Sequence, residues 1–151
     1  MDEKELLTGL TNGIKSGKII PVVCGSGYNN MGVNSLLDMV IDFLPSPVER
    51  GDTIGINPDE KRPCSLTAPF SALVFKVISD PYIGEMSLFR VYSGTIHSGE
   101  ELYNPAKNQK EKVPQICLVM GKNRNEIPDI GCGDIGALVK FKGATTGDTL
   151  C

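Results

Sequence analysis

The sequence predicts an α+β protein: an incomplete α/β segment, helix–strand–helix, followed by an antiparallel β domain. Three observations carry this reading. Two stretches of helical period flank one apolar run within residues 1–47. A proline- and glycine-rich stretch over 48–69 then interrupts the periodicity. Over 70–151, short β-rich runs alternate with Gly, Asn, Asp and Pro turns, the pattern of a small antiparallel barrel or sandwich.

Residues 2–16 read as a weak helix, with Leu6, Leu7, Leu10 and Ile14 on one face. Gly9 and Gly13 each cost it about 1 kcal/mol relative to alanine. Residues 19–24, Ile-Ile-Pro-Val-Val-Cys, form a nearly continuous apolar run, as in a strand buried on both faces. Pro21 removes a ladder donor and places that strand at an edge or near its start. Residues 33–44 form the clearest helix: Val33, Leu36, Leu37, Val40, Ile41 and Leu44 share a face, and Pro45 and Pro47 stop it. The linker holds Gly51, Gly55, Pro58, Pro63 and Pro69, with room for one short strand at its centre. Strands are then expected at 70–79, 86–93, 101–104, 110–120 and 135–141.

A strand apolar on both faces needs neighbouring strands and helices over both sides. Residues 1–47 supply only two helices and one strand. The segment is therefore expected to be part of a larger domain. Its orphan strand would pair with another chain or with the β domain, or lie under an oligomer contact.

Composition narrows the function. The 151 residues suit one or two small domains, and 40% hydrophobic with 22% charged residues fits a soluble globular protein. A net charge of −3 is too small for a whole-molecule nucleic-acid binder, so any basic site is local. No apolar run approaches the ~18–20 residues that span a bilayer, and the acidic N-terminus lacks signal-peptide order. No membrane partner and a cytoplasmic location follow as expectations. Five scattered cysteines without a CxxC suit a reduced compartment. His97, the single histidine, has no close Cys or His companion and reads as an ordinary surface or strand residue.

Gly25-Ser26-Gly27 opens like a phosphate loop but fails each fingerprint. The dinucleotide pattern needs glycine where Asn30 stands. The P-loop pattern reaches Gly32, but Val33 follows instead of lysine. The hydrolase elbow fails because Ser26 directly follows Gly25. Cys24 has no activating histidine nearby in sequence and does not read as a nucleophile.

"PVVCGSGYNNMGVNSLLDMVIDFLPSP" resembles the last guanine-nucleotide motif of the elongation factor G family of translational GTPases. That family reads P-V-x-x-G-S-A, a short glycine-containing loop, and a Leu-Leu helix ending in L-P-S-P. "APFSALVFKVISDPYIGEMSLFRVYSGTIHSGEELYN" resembles the start of the family's second domain, and "GDIGALVKFKGATTGDTLC" its end. Residues 1–17 resemble the helix returning from the insert in its GTPase domain. The motifs stand in family order and cover almost the whole chain.

The resemblance implies a β-barrel second domain at 70–151 and the C-terminal part of a GTP-binding domain at 1–47. It implies that Ser26 and the amides of Gly25 to Gly27 face guanine in the full-length parent, where small residues let main chain approach the base. Gly27 departs from the family's alanine, which leaves the amide but loosens the loop. Lys140 stands where the family often has a small residue. The phosphate loop, the magnesium threonine, the D-x-x-G switch and the N-K-x-D clamp would precede residue 1. GTP and magnesium are thus cofactors of the parent, and this chain alone is expected to hold neither tightly and to be inactive as a GTPase. The implied partner is the ribosome, through small-subunit rRNA, and the implied activity is tRNA–mRNA translocation. A release-type or ribosomal-protection relative, or a stand-alone RNA- or protein-binding barrel, remain as alternatives.

Between residues 105 and 124, Lys107, Lys110, Lys112, Lys122 and Arg124 face only Glu111, a local excess of four positive charges. On hairpin ends they would neutralise rRNA phosphates. The equal alternative is a solvated hairpin whose lysines discourage edge pairing. Asp80-Pro81-Tyr82-Ile83-Gly84 reads as a tight turn, and Arg90 as one half of an ion pair with a carboxylate such as Asp134. Tyr82, Phe89, Tyr92 and Tyr103 read as packing residues rather than base-stacking platforms.

Overall fold

The computed structural model describes residues 2–55, 59–80 and 84–151, with Asp80 described by its backbone alone. The chain divides into two compact units, Met1–Ser46 and Pro47–Cys151.

The first unit holds α1 (Glu3–Lys15) and α2 (Val33–Phe43). A capping box starts α1: the Asp2 carboxylate accepts from the Glu3 amide at 2.7 Å, and Glu5 accepts from the Asp2 amide at 3.1 Å. The helix ends in a Schellman closure, with Gly17 N–H donating to Ile14 O at 2.9 Å and Lys18 N–H to Gly13 O at 2.9 Å. The chain then folds back so that Ile19 packs over the bare Cα of Gly13. That contact gives Gly13 a role beyond weakening the helix.

The expected strand at 19–24 does not form. Among the described residues these six join no ladder, and Ile20 and Val22 are 82% and 86% exposed. A strand exists only through its partner, and none is offered to these residues. Neither helix of this unit contains a buried residue, and Ile41, on the apolar face of α2, is 78% exposed.

The second unit is almost wholly antiparallel β. The expected strand in the linker is a small hairpin, β1 (Thr53–Ile54) with β2 (Lys61–Arg62). It is followed by β3 (Ser71–Asp80), β4 (Gly84–Ser93), β5 (Thr95–His97), β6 (Glu101–Asn104), β7 (Gln109–Lys112) and β8 (Gln115–Met120). The last four are β9 (Asn123–Ile127), β10 (Asp129–Gly131), β11 (Ile135–Val139) and β12 (Thr149–Leu150). Six of them build one sheet in the order β12-β3-β4-β11-β8-β9. β5 pairs with β10, and β6 with β7. Tyr103 and Cys151 exchange backbone hydrogen bonds at 2.8 and 2.9 Å, which joins β6 to the residue after β12. The result is an antiparallel, barrel-type domain whose strand ladder does not close on itself among the described residues.

The run expected as one strand over 110–120 is two. Pro114 has no N–H to donate, and the Val113 N–H turns to Glu100 O at 2.7 Å. The run expected at 135–141 stops at Val139, because Lys140 takes the left-handed conformation, φ 60°. Register slips between Val74 and Lys76, leaving Phe75 as a bulge residue 43% exposed.

Alternation selects the core. On β4, Phe89, Val91 and Ser93 point inward while Leu88, Arg90 and Tyr92 lie on the other face. Val74, Phe89, Ile116, Leu138, Phe141 and Leu150 are each at most 1% exposed and belong to one cluster. The turn after β4 is fixed by Gly94. Its φ is 73°, and a Cβ there would lie 2.5 Å from Ala68 O. The R-V-Y-S-G motif therefore ends in glycine for packing as well as conformation.

Candidate functional site

In the first unit, Ser26 organises the loop that leads into α2. Its amide donates to Met31 O at 2.9 Å, and its carbonyl accepts from the Met31 amide at 3.0 Å. Its hydroxyl accepts from the Asn29 amide at 3.2 Å. The loop thus closes on itself like a miniature hairpin, with Asn30 in the left-handed region at φ 52°. The two arms touch: a Cβ on Gly25 would lie 3.0 Å from Met31 O. Gly32, the N-cap of α2, has φ 73°, and its Cβ would lie 2.9 Å from Cys24 O. Ser26 is therefore a brace of its own loop. The amides of Gly25 and Gly27 take no part in the backbone hydrogen bonds that close this loop. Nothing lies within 4 Å of a Cβ built on Gly27.

The five basic residues fall on two hairpins. Lys107 lies in the β6–β7 turn, with Nζ 3.6 Å from Asp148 Oδ2. Lys110 lies on β7, 3.9 Å from Glu101 Oε2 in a pair with both side chains about 70% exposed. Such a pair is screened and stabilises by no more than about 1 kcal/mol. Lys112 is exposed on β7, opposite Glu101. Lys122 is exposed in the β8–β9 turn, and Arg124 is half-buried on β9 opposite Val119. The sequence grouped these five by proximity in the chain. The structure gives Lys107 a local structural partner and leaves Lys110, Lys112 and Lys122 the most solvent-facing of the set.

Sequence reasoning missed the polar network beneath Lys107. Asn104, 3% exposed, donates through Nδ2 to Gly143 O and to Asp148 Oδ2, both at 2.8 Å. Its Oδ1 accepts from the Ala106 amide at 3.0 Å. Asp148 also accepts from the Thr145 amide at 2.8 Å. That amide is the main reason the Asp148 carboxyl sits below its ordinary range; burial opposes it, and Asn104, the Thr145 hydroxyl and Lys107 add to it. The network pins the T-T-G-D turn to the β6–β7 hairpin. An asparagine before proline, followed far along the chain by T-G-D, was the available signal.

Arg90 forms no ion pair with Asp134. Its guanidinium lies over the Tyr92 ring at 5.7 Å, two residues along the same strand face. Tyr103 packs on the surface and donates through its hydroxyl to Asn108 Oδ1 at 2.9 Å. His97 is exposed, with Nδ1 3.9 Å from Asp129 Oδ2. Of the D-P-Y-I-G turn, Pro81, Tyr82 and Ile83 lie outside the described residues.

The β unit, with its antiparallel order and the turn motifs that fix it, is a domain of the translation elongation factor class. Residues 69–151 match the family described as elongation factor G domain 2, and the chain belongs to the elongation factor G family. A crystal structure of a protein from Thermus thermophilus is similar over 99% of this chain, with a TM-score of 0.75 and 28% identity. The match covers 20% of that longer chain.

Proposed function

We propose that the chain is the end of the GTP-binding domain together with domain II of an elongation factor G-like GTPase that promotes GTP-dependent tRNA–mRNA translocation on the ribosome. The observation that carries this reading is the likeness to the Thermus structure. It extends through residues 1–46 as well as through the β domain, and takes in only a fifth of a longer chain. The exposed apolar faces of α1 and α2 support it, since a complete domain would bury them. In this reading the rest of the GTP-binding domain covers residues 19–24, and the Gly25 and Gly27 amides form one wall of the guanine site. In this reading the parent's phosphate loop and magnesium threonine lie in segments outside this chain. The purified chain accordingly turns over no GTP, and measurable hydrolysis by it would refute the reading.

The β domain would meet small-subunit rRNA through Lys110, Lys112 and Lys122. Co-sedimentation with small ribosomal subunits across a salt series tests this. Reversal of the three lysines to glutamate is expected to weaken binding and to lower the salt slope by about 1 per lost phosphate contact. Unchanged binding would remove the rRNA role. Lys140 favours a second reading, a divergent ribosome-associated relative of release or protection type. A lysine at φ 60° is a local departure from a position suited to a small residue.

A further inference from the structure

Cys64 and Cys132 lie far apart in sequence but meet side chain to side chain in the β unit. Both thiols are free, and the Cys64 side chain lies close enough to Cys132 to help raise its thiol pKa. Cys64 belongs to the segment leading from β2 to β3, and Cys132 to the turn between β10 and β11. The two segments are held together independently of the sulfurs. The Gly94 amide donates to Ser65 O at 2.9 Å, and Thr95 Oγ1 donates to Leu66 O at 3.2 Å. The Leu66 side chain packs over the bare Cα of Gly131, where a Cβ would collide with it. On the other side, the Gly133 amide donates to Val91 O at 2.9 Å, which anchors the turn to β4. Cys132 also packs against the hydrophobic core. Both residues are half-buried, neither sealed in the core nor fully exposed.

We propose that Cys64 and Cys132 form an oxidation site, converted by peroxide into a disulfide that staples the β2–β3 connector to the β10–β11 turn. Burial first, and then the neighbouring Cys64 sulfur, keeps the Cys132 proton in place. Cys132 is the one of the two that packs against the hydrophobic core, so Cys64 is assigned as the attacking sulfur. Its thiolate attacks one peroxide oxygen, the O–O bond breaks, and hydroxide departs to leave Cys64 as a sulfenic acid. The Cys132 sulfur then attacks the Cys64 sulfur. The S–S bond forms, the S–O bond breaks, and the hydroxyl leaves as water with the Cys132 proton. Two thiols are oxidised while one hydrogen peroxide is reduced to two waters. In a reducing compartment such a bond is transient and signals redox state rather than serving as a permanent brace.

The full 151-residue chain, reduced and then exposed to limiting hydrogen peroxide, tests this by alkylation and peptide mass mapping. The expected product is an intramolecular Cys64–Cys132 peptide pair lighter by two hydrogens. Its thermal midpoint should rise by several degrees and return on addition of a thiol reductant. Cys64→Ser and Cys132→Ser should each abolish both changes, whereas Cys24→Ser with Cys151→Ser should keep them. Wild-type mapping does not depend on the folding of any variant. Oxidation that yields only intermolecular disulfides through Cys24 or Cys151, or sulfonic acids with no 64–132 link, overturns the proposal.

Discussion

Asn104 and Asp148 meet at 2.8 Å beneath the β6–β7 hairpin, amide to carboxylate, and together they hold the turn that precedes β12. Asn104→Ala would strip the Gly143 carbonyl, the Asp148 carboxylate and the Ala106 amide of a shared partner in a nearly dry site. A loss of about 3 kcal/mol is expected from leaving those groups unpaired. Chemical denaturation read by tyrosine fluorescence measures it. A loss below about 0.5 kcal/mol, within the range of a neutral surface change, would show that the network is dispensable.

The same carboxylate should make stability depend on acid. The folded-state pKa of Asp148 is depressed below its unfolded value, chiefly by the Thr145 amide. Its contribution is therefore fully present above the ordinary carboxylate range, and is lost as pH falls from the unfolded pKa through the folded one. Denaturation midpoints of wild type and Asp148→Asn, compared between neutral pH and pH about 3, should converge toward the acid end. A gap that stays constant with pH would exclude Asp148 as the source.

Ser87 offers the opposite case. It is fully buried on β4, and its hydroxyl has no hydrogen-bond partner among the described residues. Ser87→Ala removes an unsatisfied polar group without leaving a large void. The expected result is a gain of about 1 kcal/mol, visible as a higher melting temperature. Destabilisation of that size would reveal a partner for the hydroxyl.

Lys140→Gly should also stabilise, by about 1 kcal/mol, because a left-handed backbone strains any residue that carries a Cβ. The Lys140 amide donates to Glu85 O at 2.8 Å, and the substitution leaves that bond intact. In the first unit, Gly27→Ala has open space for the new methyl and no left-handed φ to forbid it. It should stiffen the loop and add about 0.4–1 kcal/mol through the unfolded state. Loss of stability in the alanine variant would mean the loop needs a conformation other than the one described.

The exposed apolar residues of the first unit predict self-association. Sedimentation at increasing concentration should show reversible dimers or larger species. Ile20→Asp combined with Val22→Asp and Ile41→Glu should return the chain to a monomer. A wild-type chain monomeric at every concentration would count against an uncovered surface.

Much of this architecture was legible in the sequence because its signals are local. The helical period of 33–44 and the turn residues around 101–104 need no tertiary information. What failed depended on partners. The apolar run 19–24 reads as a strand, yet nothing among the described residues pairs with it. Asn123–Ile127, Asn-Arg-Asn-Glu-Ile, carries almost no hydrophobic signal because it is an edge strand with solvent on one side. The strands at Thr95–His97, Asp129–Gly131 and Thr149–Leu150 are two or three residues long, too short to show alternation. At the candidate site, the spacing of the loop glycines matches no phosphate fingerprint and only the family resemblance singled them out, while the inward duty of Ser26 could not be read because it rests on Met31 and Asn29. The meeting of Cys64 with Cys132 and the grip of Asn104 on Asp148 are long-range contacts with no sequence period to announce them.

The position of β12 carries a consequence for synthesis. Leu150 is completely buried and pairs with Ala72, near the start of the domain, while Cys151 bonds to Tyr103. A nascent chain therefore cannot finish this domain while its last residues are still inside the exit tunnel. The sheet edge at β3 stays open until Leu150 emerges, so the β3–β12 pairing can form only after nearly all of the domain has left the ribosome.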